Sequence, residues 1–262
     1  MQIVEQQLTH NYITMKSRII YILALLVCGV NLYAQENAFF VPNPGTARWA
    51  YEKTDAKGKH ISDEYYSVES ISGDTVNGSV KLKVKEVMAT APSDTVTTMV
   101  FYRFRNGEFL VDMNAFFEDD ILSSLVTEAA DSAKTEITEA QKKEAIEELK
   151  KHIKVSGDIR GIPQYPQVGN LPDFDCQMKF TFISMKVAGE QRKITGKETI
   201  QTPAGTFDCF IMEETITTKV MIHKETERNV SWYAYGIGMV KEATYDKKGK
   251  LLSVTTLNWK NW

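Results

Sequence analysis

The chain has 262 residues, 43% of them hydrophobic, with 34 acidic against 31 basic side chains, which is length and apolar content enough for an ordinary globular core. A formal charge of −3 with no clustered basic face excludes the electrostatic footprint of a nucleic-acid binder, so no nucleic-acid partner is expected.

The N-terminus is a targeting segment. From Met15 the chain reads MKSRIIYILALLVCGVNLYAQ: Lys16 and Arg18 form a short basic region, Ile19 to Val30 an apolar run, and Ala34 the small residue a signal peptidase requires. The run is shorter than the ~20 apolar residues that cross a bilayer. Residues 1–34 are therefore read as an N-terminal extension plus signal peptide, cleaved near Ala34, with Met15 the preferred start and Gln35 the first mature residue. Cys28 raises a second reading, a lipidated cysteine at the mature terminus. The residue before it is Val27 rather than a small one, which favours cleavage after Ala34. No later apolar run is long enough to span a membrane, so residues 35–262 are expected to hold no transmembrane segment and to form a single β-rich domain in the periplasm, at the outer membrane or outside the cell.

That domain reads as two β blocks, 46–112 and 174–259, joined by a helical and irregular segment, 113–173. In the first block TARWAYEKTD turns through AKGK into HISDEYYSVESI, and SGDTVNGS turns into VKLKVKEV. There Val80, Leu82 and Val84 alternate with Lys81, Lys83 and Lys85, so one face is core and the other solvent. TVTTMVFYRF follows, and Asn106-Gly107 predicts a hairpin into EFLVDM. In the joining segment MNAFFEDDILSSLVTEAA predicts a short helical piece. EITEAQKKEAIEELKKHI predicts a longer helix, with Thr138 and Gln141 at capping-box spacing and a thin stripe of Ala140, Ile146 and Leu149 that keeps it on the surface. GDIRGIPQYPQVGNLPD is predicted irregular.

The second block is expected to run through FDCQMKFTFISMKV, QRKITGKETIQT, GTFDCFIMEETITT, KVMIHKETE, WYAY, GMVKEATY and LLSVTTLNW. TPAGT marks a turn, with Pro203 and Gly205 at its corners, and DKKGK another, with Gly249 as its positive-φ residue. Gly236-Ile237-Gly238 superficially suits a phosphate-binding loop. It lacks the third glycine, the following helix and the acidic residue of that fingerprint, so a bend or bulge between strands is expected. The architecture predicted is mainly β: a curled antiparallel sheet or open barrel, a meander of about ten or more strands with a short helical insertion.

Reactive side chains are dispersed. His60, His152 and His223 lack metal-ligand spacing, and Cys209 with His223 is the one nucleophile pair that can be drawn; its cysteine is flanked by Phe207 and Ile211 in core style. No catalytic residue, metal or cofactor is expected, and the protein is read as a non-enzyme. Cys176 and Cys209 are compatible either with one disulfide, as export allows, or with two buried thiols. The aromatic residues Trp49, Tyr51, Tyr65, Tyr66, Trp232, Tyr233 and Tyr235 lie on predicted strands. If several faced one concavity they would line an apolar groove; core packing accounts for them equally well.

Several pieces together resemble a family of secreted bacterial proteins, the TapB-like or "domain of unknown function 3108-like" group. They are Trp49-x-Tyr51, Leu171-Pro172-Asp173, Pro203-Ala204-Gly205-Thr206-Phe207, Trp232-Tyr233 through Gly236-x-Gly238-x-Val240-Lys241, and Lys248-Gly249-Lys250. The resemblance covers nearly all of the mature chain, is strongest after Leu171, and leaves the helix around residues 138–152 as an embellishment. It implies an exported curled-sheet protein and no assigned activity. The function expected is a binding module for an apolar ligand such as a lipid or acyl chain, with Trp49, Tyr51, Trp232 and Tyr233 as ligand-binding candidates. The alternative is a structural protein of the envelope that binds another protein.

Overall fold

Val80, Leu82 and Val84 are buried while Lys83 and Lys85 are exposed, and this period of two recurs along nearly every strand. The computed structural model describes residues 47–73, 77–106, 108–117, 135–180 and 183–261, together with 122, 123, 126, 127 and 130. The targeting segment, Cys28, Gln35 and Gly107 lie outside the described residues, as does most of the shorter helical piece, of which Ala115–Phe117 forms a 3-10 turn.

The first block contributes β1 (Arg48–Asp55), β2 (His60–Gly73), β3 (Asn77–Met88), β4 (Ala91–Arg105) and β5 (Glu108–Val111). The joining segment contributes helix α1 (Glu139–Lys151) and three short strands, β6 (Ile153–Ser156), β7 (Ile159–Arg160) and β8 (Gly169–Asn170). The second block contributes β9 (Phe174–Phe180), β10 (Ile183–Thr202), β11 (Gly205–Val220), β12 (His223–Ala234), β13 (Gly238–Asp246) and β14 (Leu251–Lys260). Among the described residues these fourteen strands make one antiparallel sheet in the order β6-β9-β10-β11-β12-β13-β14-β1-β2-β3-β4-β5-β7, with β8 paired to β10. The two blocks meet through β1 and β14, where Trp49 lies opposite Lys260 and Asp55 opposite Ser253.

The sheet is curled, and the chain itself requires it. β6 and β7 sit at opposite ends of the strand order, yet only Gly157 and Asp158 separate Ser156 from Ile159. Three peptide steps reach no further than about 11 Å, so the ends must come together. They are not paired to each other, and the sheet stays open along this seam. Side chains span the seam: Arg103 Nη2 and Arg105 Nη2 of β4 donate to Asp158 at 3.0 and 2.8 Å. Gly157 sits at φ +77°, and a Cβ there would meet the Asp175 carbonyl oxygen at 1.9 Å, so glycine alone fits.

The concave face carries the core, with Trp49, Leu82, Val100, Met212, Tyr233 and Leu257 among its buried members. Helix α1 is superficial, with Ile146 its buried residue. Thr138 Oγ1 accepts from the Gln141 N–H and Gln141 Oε1 accepts from the Thr138 N–H, the expected capping box.

The second block departs from its predicted boundaries in two places. FDCQMKFTFISMKV is not one strand, since β9 ends at Phe180 and β10 begins at Ile183; β10 then continues unbroken through Gly189 to Thr202. Gly189 serves packing rather than a turn, because a Cβ there would lie 2.2 Å from the Phe174 ring. Likewise KVMIHKETE holds a reversal: β11 ends at Val220, Met221 takes φ +54°, and β12 begins at His223.

Candidate functional site

Two bulges break the ladder between β10 and β11. Glu190 faces Thr215 and Lys193 faces Glu213, so three steps on β10 match two on β11; a second extra residue enters between Ile194 and Gly196. Within the first bulge Gln191 adopts φ +55°, a left-handed conformation that a non-glycine residue holds only where its surroundings enforce it. The consequence is that Arg192 turns inward. Its side chain is 1% exposed and its guanidinium makes four hydrogen bonds: Nε donates to Glu214 Oε2 at 2.8 Å, Nη1 to the Pro172 carbonyl at 2.8 Å, and Nη2 to the Arg160 and Gly161 carbonyls at 2.8 and 2.9 Å. The Phe174 ring lies beneath it at 5.0 Å. Arg192 thus ties β10 to β7 at the far end of the sheet. Burial pushes the Glu214 carboxyl above its ordinary range, and Arg192 opposes that shift.

Above this pair opens a groove of about 630 Å³, with Arg192 and Glu214 in its floor. Asn170 and Asp173 line one side, and Lys193, Glu213, Thr215 and Arg228 the other. Glu213 Oε2 lies 3.5 Å from both Lys193 Nζ and Arg228 Nη1, and the Arg228 guanidinium stacks 4.4 Å over Tyr245. The lining contains the cations Arg192, Lys193 and Arg228, the carboxylates Asp173, Glu213 and Glu214, the amides Asn170 and Gln191, the Thr215 hydroxyl and Leu171, a set of donors and acceptors suited to holding a polar molecule.

The four aromatic candidates take other places. Trp49 and Tyr51 are each 1% exposed and pack with Tyr66, the first stacked at 5.3 Å and the second edge-on at 5.4 Å; Tyr51 Oη donates to the Met239 carbonyl. Tyr233 is buried in the same core. Trp232, its neighbour, points to the opposite face, where its Nε1 donates to Glu198 at 2.7 Å and Lys241 lies 4.9 Å over its ring. The period of two that puts Tyr233 in the core puts Trp232 outside it.

Of the two alternatives left open for Cys176 and Cys209, the structure has both as free, buried thiols. Cys176 lies opposite Val187 and Cys209 opposite Glu198, eleven residues apart along β10. That is roughly 30 Å of strand, against the ~7 Å a disulfide tolerates between alpha carbons. Burial, with nearby carboxylates adding to it, pushes the Cys176 thiol up to about 11 and that of Cys209 to about 12. Cys209 pairs with Ala234 while His223 pairs with Val220 at the far end of β11, so the two do not meet. Gly236 and Gly238, at φ +72° and +96°, form the turn between β12 and β13. Among the described residues no group of three His, Cys, Asp or Glu side chains is placed to hold a metal ion.

Sequence reasoning missed the groove because QRK reads as an ordinary charged strand surface. The one available signal is Arg192 itself: with Gln191 and Lys193 exposed, strict alternation would put a lone arginine on the core face.

A family model described as DUF3108-like matches residues 45–257. Among solved structures, the "putative lipoprotein" from Parabacteroides distasonis ATCC 8503 is 19% identical, with a TM-score of 0.56 over 88% of this chain and 99% of that one. The "putative exported protein with YmcC-like fold" from Bacteroides fragilis NCTC 9343 is 17% identical, with a TM-score of 0.55 over 90% of this chain and 100% of that one. At these identities the likeness carries the fold. No curated protein matches the chain.

Proposed function

The chain belongs to the DUF3108-like family, and from that premise we propose that it is an exported envelope protein that binds a small polar ligand in the groove of the β10 bulge. Two observations support export: the leader read from residues 15–34, and structural relatives described as a lipoprotein and as an exported protein. The observation that carries the binding reading is the groove of about 630 Å³ floored by the buried Arg192–Glu214 pair. Its size falls in the range of small-molecule sites, and the strained Gln191 backbone is the kind of local cost that persists where a site is being shaped. An apolar ligand loses support because Trp49, Tyr51 and Tyr233 are taken up by the core and Trp232 by Glu198 and Lys241.

The test is a thermal-shift screen with free amino acids, sugars and short dicarboxylates, run on the native protein and on Thr215→Trp, which plugs the groove from the outer side. A ligand that raises the native Tm and leaves Thr215→Trp unmoved supports the reading. A screen with no such ligand, or a shift that survives the plug, refutes it.

A further inference from the structure

The charges around the β10 bulge are sorted along the sheet. β9 begins with Phe174 opposite Gly189, so the residue before it, Asp173, comes at the level of Glu190. Glu190 faces Thr215 of β11, Thr215 faces Arg228 of β12, and Arg228 faces Tyr245 of β13, on whose ring its guanidinium stacks. At the acidic end of this row, neither the Asp173 nor the Glu190 carboxylate has a hydrogen bond or ion pair among the described residues. At the basic end, the Glu213 carboxylate is shared by Lys193 and Arg228, each at 3.5 Å, which leaves one positive charge unanswered there. Arg192 and Glu214 neutralise each other. Between the two ends stand neutral groups: the Asn170 and Gln191 amides and the Thr215 hydroxyl, which donates to Gln191 Oε1 at 3.3 Å.

We propose that the groove takes a zwitterion with separated charges, of the class of a short peptide with free termini. Its ammonium group lies toward Asp173 and Glu190, its carboxylate toward Arg228 and Lys193, and its amide bonds along Asn170, Gln191 and Thr215. The order of groups in the groove, carboxylates, then amides and hydroxyl, then cations, is the complement of the order in such a molecule. The guanidinium fork of Arg228 suits a terminal carboxylate, and the Tyr245 ring holds its plane. Reach sets the length of the ligand. Glu190 and Arg228 stand two strands apart, roughly 10 Å between alpha carbons, and the side chains from either end shorten that gap. Two or three extended residues span about 7–10 Å. A free amino acid carries both charges on one carbon and meets one end only. A dicarboxylate sets a negative group against Asp173 and Glu190, and a neutral sugar answers the charges of neither end. The ligand class rests on the groove being a binding site, and the two can fail separately.

The experiment is calorimetric titration of the purified protein with trialanine, N-acetyl-trialanine, trialanine amide and free alanine, with glucose and succinate alongside. Trialanine is expected to bind, free alanine to bind more weakly, and each cap to weaken trialanine roughly tenfold, the worth of a charge-assisted hydrogen bond. Asp173→Asn with Glu190→Gln should bring the free and acetylated peptides to one affinity while the amide stays weaker. Arg228→Gln should do the reverse, shrinking the preference over the amide and keeping that over the acetylated form. A substitution that only disturbs the fold lowers all three forms together, so this split is the readout. Thr215→Trp should abolish binding of every form. Trialanine that fails to bind, that binds regardless of both caps, or that loses affinity equally for all forms in both variants overturns the proposal. If glucose or succinate binds instead and Thr215→Trp removes it, the zwitterion is overturned and the groove remains a site. If nothing binds, or trialanine binding survives Thr215→Trp, both fall.

Discussion

Arg192 Nε meets Glu214 Oε2 at 2.8 Å with the two side chains 1% and 8% exposed, so the molecule holds a buried ion pair where its sheet has most need of a fastening. The arginine reaches from β10 to the carbonyls of Arg160 and Gly161 at the opposite end of the strand order, making side-chain contacts where no backbone ladder closes the sheet. Replacing Arg192 by Met leaves Glu214 charged and buried without its partner, which costs about 3–5 kcal/mol. Adding Glu214→Leu restores only part of this, since the carbonyls of Pro172, Arg160 and Gly161 still lack their donor. Urea denaturation of the single and double variants measures both effects. A single variant within about 1 kcal/mol of the native protein would mean that the pair does not fasten the seam.

Gly157 and Gly249 share a backbone conformation but not a neighbourhood, and the contrast isolates two costs. Gly249 has φ +80° with nothing within 4 Å of a would-be Cβ, so Gly249→Ala should lose only the left-handed penalty of about 1–2 kcal/mol. Gly157 adds a collision with the Asp175 backbone, which cannot swing aside as a side chain can. Gly157→Ala is therefore expected to destabilise by more than Gly249→Ala and to raise hydrogen exchange at β6 and β9 first, because that collision falls on their pairing. Equal losses at the two positions would show that β6 shifts freely.

Much of this architecture is legible in residues a few places apart. The alternation of β3, the Thr138–Gln141 box of α1 and the TPAGT turn are local patterns, and each appears where it was expected. The membership of the family is legible in the same way, through motifs spread over the chain. What was not legible depends on distant partners. Nothing in WAYEK or LNWK says that β1 and β14 will pair and merge two blocks into one sheet. Gly189 looks like a break but is a seat for Phe174, and the bulge that turns Arg192 inward has no turn residue to announce it. Trp232 and Tyr233 look like one aromatic pair until the register sends them to opposite faces. Period-two reasoning specifies that two neighbours diverge; it does not specify which of them meets the core.

The two thiols should behave as inert core groups. Both are buried and both are pushed to high values by burial, so at about pH 8 neither exists appreciably as thiolate. Ellman's reagent is expected to leave the native protein untouched and to react with both cysteines once the sheet is unfolded. The intact mass should be the same before and after reduction. A two-hydrogen difference would contradict the strand register that holds Cys176 and Cys209 apart, and fast labelling of either in the native state would contradict its burial.

Glu64 gives the fold a pH dependence whose direction follows from its surroundings. The side chain is buried at 3% exposure; burial raises its carboxyl from 4.5 to about 6, while the Tyr66 hydroxyl at 2.8 Å and Lys53 act against the rise and Glu86 adds to it. Because the folded value lies above the unfolded one, the native state holds the proton more tightly. Stability is then highest below about 4.5 and declines as pH rises through about 6, with a total near 2 kcal/mol from this group at ~1.4 kcal/mol per pKa unit. Glu64→Gln keeps an acceptor for Tyr66 and removes the charge. The difference between the variant and the native protein in urea should therefore grow in the variant's favour as pH climbs from about 4.5 to 7 and be constant outside that window. Parallel curves across the whole range would show that Glu64 titrates like an exposed carboxylate and that the polar end of the concave face admits water.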